Sequence, residues 1–308
     1  MTMSSHLVGA VILGTCAGAL ARLDTLIVDY RQYPSYPQGY TIHMTLAVIA
    51  AFLGAVAIPA LAVKDFAAAS FLALAATQFR EVRAIERETL LNLEDSELVP
   101  RGKAYIEGIA RVFEARNYLA MLTAFVSSGA VVVAGELLEN LAAALAAGTA
   151  AGALVWLAIK RAVRGQHVVG DLADLELAPI EFDGPLLTVC GVVLMNIGLE
   201  EARQRYLREG IGVVLTPKDP SAKATLANIG QRQAIAHDAS TVVGITKEVD
   251  EPYFTPLVRR DGKTGKVVMA IVPAERNPEA LLEAIRRVPV LEAAVRRPTA
   301  SVAGRMVD

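Results

Sequence analysis

Three aspartates, Asp24, Asp29 and Asp171, are the side chains here that could activate water. Two carboxyls sharing one site split their pKa values, so that one serves as base and the other as acid, and such a pair can hydrolyse a peptide bond. Asp171 closes the run Val168-Val169-Gly170-Asp171. That run keeps the GD of the GxGD setting used by aspartyl intramembrane proteases, but has Val168 where the first glycine belongs. Asp24 and Asp29, at the end of the first apolar segment, are its candidate partners. Asp171 also lies beyond Arg164, where a solvated loop acid is the plainer reading.

A second group is Glu107, Arg111, Glu114 and Tyr118, spaced four, three and four residues apart, which is one stripe of a helix. Ile106, Ala110, Phe113 and Asn117 form the adjacent, mostly apolar stripe. Glu107 and Arg111 have the favoured order for an ion pair, acid first. Charge one turn from an apolar run either fixes helix register at an interface or marks a site, because it is costly near lipid unless paired or used. The residues singled out are Tyr105, Glu107, Gly108, Arg111, Glu114, Arg116 and Asn117.

A third group lies further on: Asp238 in HDAS, and Asp250, Glu251, Arg259 and Arg260 in VDEPYFTPLVRR. Two arginines can grip a carboxylate or a phosphate. A turn ended by Pro252 and Pro256 is the duller account of the same stretch.

Other chemistries are missing from the sequence. No GxSxG, no HExxH and no familiar Cys/His arrangement occurs. His6, His43, His167 and His237 are scattered, and Cys16 and Cys190 lie far apart in apolar segments, so neither a disulfide nor a metal site is expected. Gly210-Ile211-Gly212 lacks the third glycine of a dinucleotide fingerprint, and no cofactor is expected. A net charge of −2 argues against nucleic acid as a partner.

The elements that must carry these groups are of two kinds. Of the 308 residues, 54% are hydrophobic, and the mean hydropathy is +0.41. A soluble domain is usually about 45–50% apolar. Five apolar segments, roughly 6–21, 43–63, 66–79, 119–138 and 141–159, reach or approach the ~20 residues of a span. The first contains the pair Gly14 and Gly18, a spacing that lets helices approach closely. Lys64 and Asp65 alone separate the second and third, so a tight hairpin is expected there, with Pro59 bending the approach. The first run has no Lys or Arg before it, which reads as a retained span rather than a cleaved signal. Cations gather at 80–118, at 160–164 and at Arg22 and Arg31, whereas the turn at 136–140 has none. The turn at 63–66 has only Lys64, and five spans with the N-terminus outside and the C-terminus inside satisfy every one of these loops.

From about residue 165, strand-like runs alternate with helical patterns, which predicts a soluble α/β domain over 165–298, an α/β sandwich of ferredoxin-like size, with a flexible tail at 299–308. The strand runs are LLTVCGVVLM, GIGVVLTP, VVGI and KVVMAIVP, and the helices GLEEARQRYLREG, ATLANIGQRQAIAHD and NPEALLEAIRRV. Asn277 fits an N-cap before Pro278 and Glu279. A sixth span at 185–199 competes with the strand reading, but Asp183, Asn196, Glu200 and Glu201 leave it little apolar length. The expected domains are therefore a helical membrane domain at 1–164, with a cytoplasmic helical hairpin at 80–118 broken by Pro100 and Gly102, and the α/β domain after it.

Tyr105-Ile106-Glu107-Gly108-Ile109-Ala110 spells YIEGIA. With the neighbouring YPSYPQGYTIHM, FREVRAIERE and TLANIGQRQAIAHD, the chain resembles the YIEGIA family of endospore-forming bacteria along its whole length. The resemblance implies an integral membrane protein of sporulation, with a connection to proteolysis of spore proteins. Three classes remain: a membrane scaffold or regulator of spore proteins acting through its cytoplasmic α/β domain, a membrane-bound aspartyl-type protease, and a transporter. The transporter ranks last, because the spans carry only Thr and Ser at depth and show no repeat. The scaffold leads because no complete catalytic constellation is visible. Lipid and a protein partner or substrate are the expected contacts, and homo-oligomerisation is left open.

Overall fold

Lys64 turns the chain at the end of the second apolar segment: its φ is 59°, and the amides of Lys64 and Asp65 close on the carbonyls of Leu61 and Ala60. Asp65 then caps the next helix by accepting from the amide of Ala68 at 2.9 Å. The expected hairpin is therefore present in this computed structural model, which describes residues 5–30, 38–163, 167–248 and 251–300. The chain divides into two compact units, Met1–Glu88 with Ala110–Gly165, and Thr89–Ile109 with Gln166–Asp308.

The first unit is built from α1 (Ser5–Asp29), α2 (Gly39–Ala62), α3 (Phe66–Thr77), the start of α4 (Phe79–Glu94), most of α5 (Lys103–Leu138) and α6 (Leu141–Val163). By length and composition, four of these helices could cross a membrane: Ser5–Leu26, Gly39–Ala62, Lys103–Leu138 and Leu141–Arg161. The third of the five expected segments falls short. α3 has twelve residues, about 18 Å of helix against ~30 Å of hydrocarbon, because Gln78 and the charged run from Arg80 end its apolar stretch.

Small residues draw the helices together. A Cβ on Gly14 would lie 2.8 Å from the Ala124 carbonyl oxygen, and one on Gly18 would lie 2.5 Å from that of Ala120. The Gly14–Gly18 pair is thus a close-packing face against α5 and against Ala55 and Ala51 of α2. Ser128 Oγ donates to the Ala55 carbonyl at 2.6 Å and Ser127 Oγ to that of Gly148 at 2.9 Å, tying α5 to α2 and to α6. From Gly14 to Gly18 the neighbours on α5 fall from Ser128 to Ala120 and those on α2 from Ala55 to Ala51. Both α2 and α5 therefore run opposite to α1, and α3 with α4 must carry the chain back between them.

In the second unit α7 (Val169–Leu172) is a single turn before β1 (Ala173–Ala178), β2 (Ile180–Asp183), β3 (Leu186–Val189) and β4 (Val192–Asn196). There follow α8 (Glu200–Glu209), β5 (Ile211–Pro217), α9 (Pro220–Leu226), α10 (Ile229–Val243), the short β6 (Lys247–Glu248) and β7 (Glu251–Pro252), then β8 (Leu257–Arg260), β9 (Val267–Ile271) and α11 (Pro278–Arg287). Two main antiparallel sheets result, with strand orders β1-β5-β9-β8 and β2-β3-β4, beside the two-stranded pair β6-β7. What stands of the expected sandwich is this coarser form, a small antiparallel-sheet domain carrying helices.

LLTVCGVVLM is not a sixth span. Cys190 and Gly191, at φ 50° and 72°, make a two-residue turn that folds it into the β3–β4 hairpin. VVGI is not a strand: Val242 and Val243 end α10, and only Ile245 bridges, to Pro273. ATLANIGQRQAIAHD is two helices, because Asn228 caps the second by accepting from the Gln231 amide at 3.1 Å. Asn277 caps α11 as expected. Leu187, Val189, Tyr206, Val214, Phe254 and Val268 form the core between the sheets. The opposite face of the larger sheet, Val213, Leu215, Val267, Met269 and Ile271, is buried on the side of α9, α10 and α11.

Candidate functional site

Within the bundle, Arg22, Thr25 and Asp29 step by three and four residues along one face of α1. Arg22 is 1% exposed and Asp29 5%. Arg22 Nη1 lies 2.7 Å from Asp29 Oδ2 and donates to Thr25 Oγ1 at 3.2 Å. From α5, Arg116 Nε comes within 3.4 Å of Asp29 Oδ1. The ring of Phe113 lies beneath the Arg22 guanidinium at 5.8 Å and beside His43 at 4.7 Å. His43 Nε2 is 3.0 Å from Glu86 Oε1 of α4, and Arg83 Nη1 is 3.1 Å from Glu114 Oε2. The result is a buried ionic centre in which α1, α2, α4 and α5 each supply a charge or a ring. Buried charges hold only when paired, and removing one partner is strongly destabilising.

Each of the three candidate acids has its own partners within its unit. Asp29 is committed to two guanidinium groups. Asp24 accepts from Lys160 Nζ and Trp156 Nε1, both at 3.3 Å. Asp171 is exposed, accepts from the Val168 amide at 3.0 Å, and lies 3.8 Å from His167 Nδ1. The helical stripes are as the spacing predicts: Ile106, Ala110, Phe113 and Asn117 are buried, Glu107, Glu114 and Tyr118 half-buried, and Arg111 exposed.

In the second unit the YIEGIA residues are a packing surface. Tyr105, Ile106 and Ile109 are buried, and Gly108 faces Ala293. Arg101 lies over the Tyr105 ring at 5.6 Å and is gripped by Glu94, whose carboxylate takes both its side chain at 2.8 Å and its backbone amide. Gly230 lets the start of α10 meet the Tyr105 backbone. The next residue, Gln231, donates to the Pro289 carbonyl at 3.1 Å and accepts from the Leu291 amide at 2.7 Å. His237 Nδ1 lies 2.6 Å from the Val99 carbonyl oxygen, the distance of a donated hydrogen bond.

Beside these contacts α10 and α11 enclose a cleft of about 480 Å³, walled by Val242, Ala280, Ala284 and Val288 and edged by Arg101, His237, Asp238, Glu283 and Arg287. Most of its polar groups are spoken for: Arg101 by Glu94, Arg287 by Glu283 at 2.6 Å, His237 by Val99. Burial pushes the Asp238 carboxyl above its usual range, against the pull of Arg101 and His237. Asp250 lies outside the described residues. Arg259 and Arg260 do not form a pair: neighbours in a strand point to opposite faces, and Arg259 donates to the Val193 carbonyl at 2.8 Å on the β4 side.

Sequence reasoning missed Arg22, His43 and Glu86 as members of a centre, and Arg101 and Gln231 as anchors. For Arg22 the signal existed: Arg22, Thr25 and Asp29 keep helical spacing, but an apolar segment ended at residue 21 conceals it. The His43–Glu86 pair is brought together by the return of α4 and has no local signature.

A sequence profile of the family described as "YIEGIA protein" matches residues 10–301. The "Uncharacterized protein YphB" of Bacillus subtilis (strain 168) is 44% identical over 289 residues, covering 94% of this chain and 94% of that protein. No solved structure matches.

Proposed function

The chain belongs to the YIEGIA family, and we propose that it is a membrane-embedded scaffold or regulator of spore proteins, which holds a protein partner in the α10–α11 cleft of its sheet domain. The observation that carries this reading is Asp238, half-buried in a cleft whose other charges are engaged, with no hydrogen bond of its own among the described residues. A carboxyl so placed suits a Lys or Arg of an inserted protein segment, whose apolar neighbours would lie along Val242 and Ala284. The acids proposed for a protease each have separate partners, which favours binding over hydrolysis as the starting hypothesis.

Quantitative proteomics of sporulating cells tests it, with the protein expressed at normal level in place of the endogenous copy. Asp238→Lys is expected to reproduce the protein-abundance changes of the deletion, and Asp171→Ala to match wild type. The reverse pattern, with spore proteins accumulating uncut in Asp171→Ala, would replace the scaffold by the aspartyl protease.

The sheet domain is proposed to be cytoplasmic and the N-terminus external, on the strength of the cation-rich segments at 80–118 and 160–164. Cys190 is a native reporter, because it is exposed at the tip of the β3–β4 hairpin. With Cys16 changed to Ala, a membrane-impermeant maleimide is expected to leave intact cells unlabelled and to label Cys190 after permeabilisation. Labelling of intact cells would invert the orientation.

A further inference from the structure

Strand β8 sends Leu257 and Arg259 toward the smaller sheet, where Leu257 joins the inter-sheet core and Arg259 reaches Val193. Val258 and Arg260 therefore face the other way, toward α10, which packs on β8. Arg232 of α10 lies on that side as well, near enough for the charge of Arg260 to act on it. Arg232 Nη1 donates to the Ala227 carbonyl at 2.9 Å, at the end of α9. Arg260 Nε is buried and has no hydrogen-bond partner among the described residues. No carboxylate pairs with either guanidinium among the described contacts.

Like charges near one another, with no carboxylate paired to them among the described residues, are unusual, because each raises the free energy of the other. Burial first, and then the charge of Arg260, push the Arg232 guanidinium below its ordinary value. Two more cations are on the adjoining elements, α9 and the turn after β8. Lys223, one helical turn before Ala227, lays its chain across Gly265, and its Nζ lies 3.3 Å from the Lys263 carbonyl oxygen. The acid at hand, Asp261, is closed on its own turn, accepting from the Lys263 and Thr264 amides at 3.2 and 2.9 Å and from Thr264 Oγ1 at 2.5 Å. Those hydrogen bonds hold its carboxyl down to about 2, so it stays committed to the turn.

We propose that Arg232 and Arg260 form a site for a phosphoryl group, with Lys223 and Lys263 at its rim. Two guanidinium forks can take a tetrahedral oxyanion from two sides, which a pair of lysines does less well. The phosphoryl group belongs to a lipid headgroup or to a soluble phosphoester, and the site shares no residue with the Asp238 cleft.

The test uses the full-length protein in detergent micelles. Its thermal unfolding is followed in one arm against inorganic phosphate, with chloride balancing ionic strength, and in another against micelles doped with short-chain phosphatidylglycerol or phosphatidylcholine. A ligand that binds the folded state raises Tm. The wild type is expected to gain Tm in at least one arm. Arg232→Gln and Arg260→Gln are each expected to weaken that binding by about tenfold or more, and Arg259→Gln to leave it unchanged. A gain with inorganic phosphate assigns a soluble phosphoester. A gain with phosphatidylglycerol alone assigns the headgroup. Without added anion Arg260→Gln should hold or raise Tm, since it relieves repulsion. A marked fall in that Tm would make Arg260 structural and overturn the site, as would a shift in neither arm or one equally lost in Arg259→Gln.

Discussion

Asp29→Ala is expected to destabilise the helical bundle by about 3–5 kcal/mol. The side chain is 3% exposed and its carboxylate is shared by Arg22, at 2.7 Å, and Arg116, at 3.4 Å. Its loss takes from both guanidinium groups the carboxylate they share, in a space that water barely enters. The cost is that of removing one partner from a buried ionic cluster, which far exceeds the ~0–1 kcal/mol of a surface pair. Denaturant or thermal unfolding in detergent reads it. An effect below about 1 kcal/mol would mean that the centre is solvated. Combining Asp29→Ala with Arg116→Leu should recover part of the loss, because the pair is then removed together. The same substitution at Asp24, which is one-third exposed and bonded to Lys160, should change stability by about 1 kcal/mol or less.

This contrast shows what the sequence could and could not reveal. Asp24 and Asp29 are both aspartates at the end of one apolar run, and nothing local separates them. Five residues apart, they stand on different faces of α1, and only the arrival of Arg116 from α5 makes one of them central. The stripe from Ile106 to Asn117 was legible because a helix repeats every 3.6 residues and burial follows that period. Asn277 was legible because an N-cap is a local device. The Cys190–Gly191 turn was not, because the left-handed residue at the first turn position is usually Asn or Asp and here is Cys. Arg259 and Arg260 looked like a pair because adjacency in sequence suggests adjacency in space. In a strand it means the reverse, and the partner of Arg260 comes from a helix 28 positions earlier, Arg232.

Gly230→Ala is expected to lower stability even though Ala is the better helix former. Propensity alone favours the substitution by about 1 kcal/mol. Gly230 is in the first turn of α10, however, and a Cβ there would stand 2.9 Å from both the N and the Cα of Tyr105. Those are backbone atoms, so no side chain can swing aside, and either α10 or the start of α5 must retreat. Overpacking of this kind costs about 1–3 kcal/mol, so a net loss of about 1–2 kcal/mol is expected for Ala, and for Val a larger one, with β-branching added. Gly262→Ala, in the open β8–β9 turn with nothing near its Cβ, should stay within about 0.5 kcal/mol of wild type. Thermal unfolding of the three variants decides the matter by sign. If Gly230→Ala stabilises the protein, the close approach is not real, and the YIEGIA segment is not seated on α10. If it destabilises, the TLANIGQ string and the YIEGIA string are two halves of one contact. The glycine in the first is then there so that the tyrosine of the second can be reached. The anchors in or beside each string, Gln231 with its two backbone partners and Arg101 with Glu94 beside Tyr105, then hold the wall of the Asp238 cleft in place. Gly230→Val should consequently impair whatever Asp238→Lys impairs, without touching a single charge in the cleft.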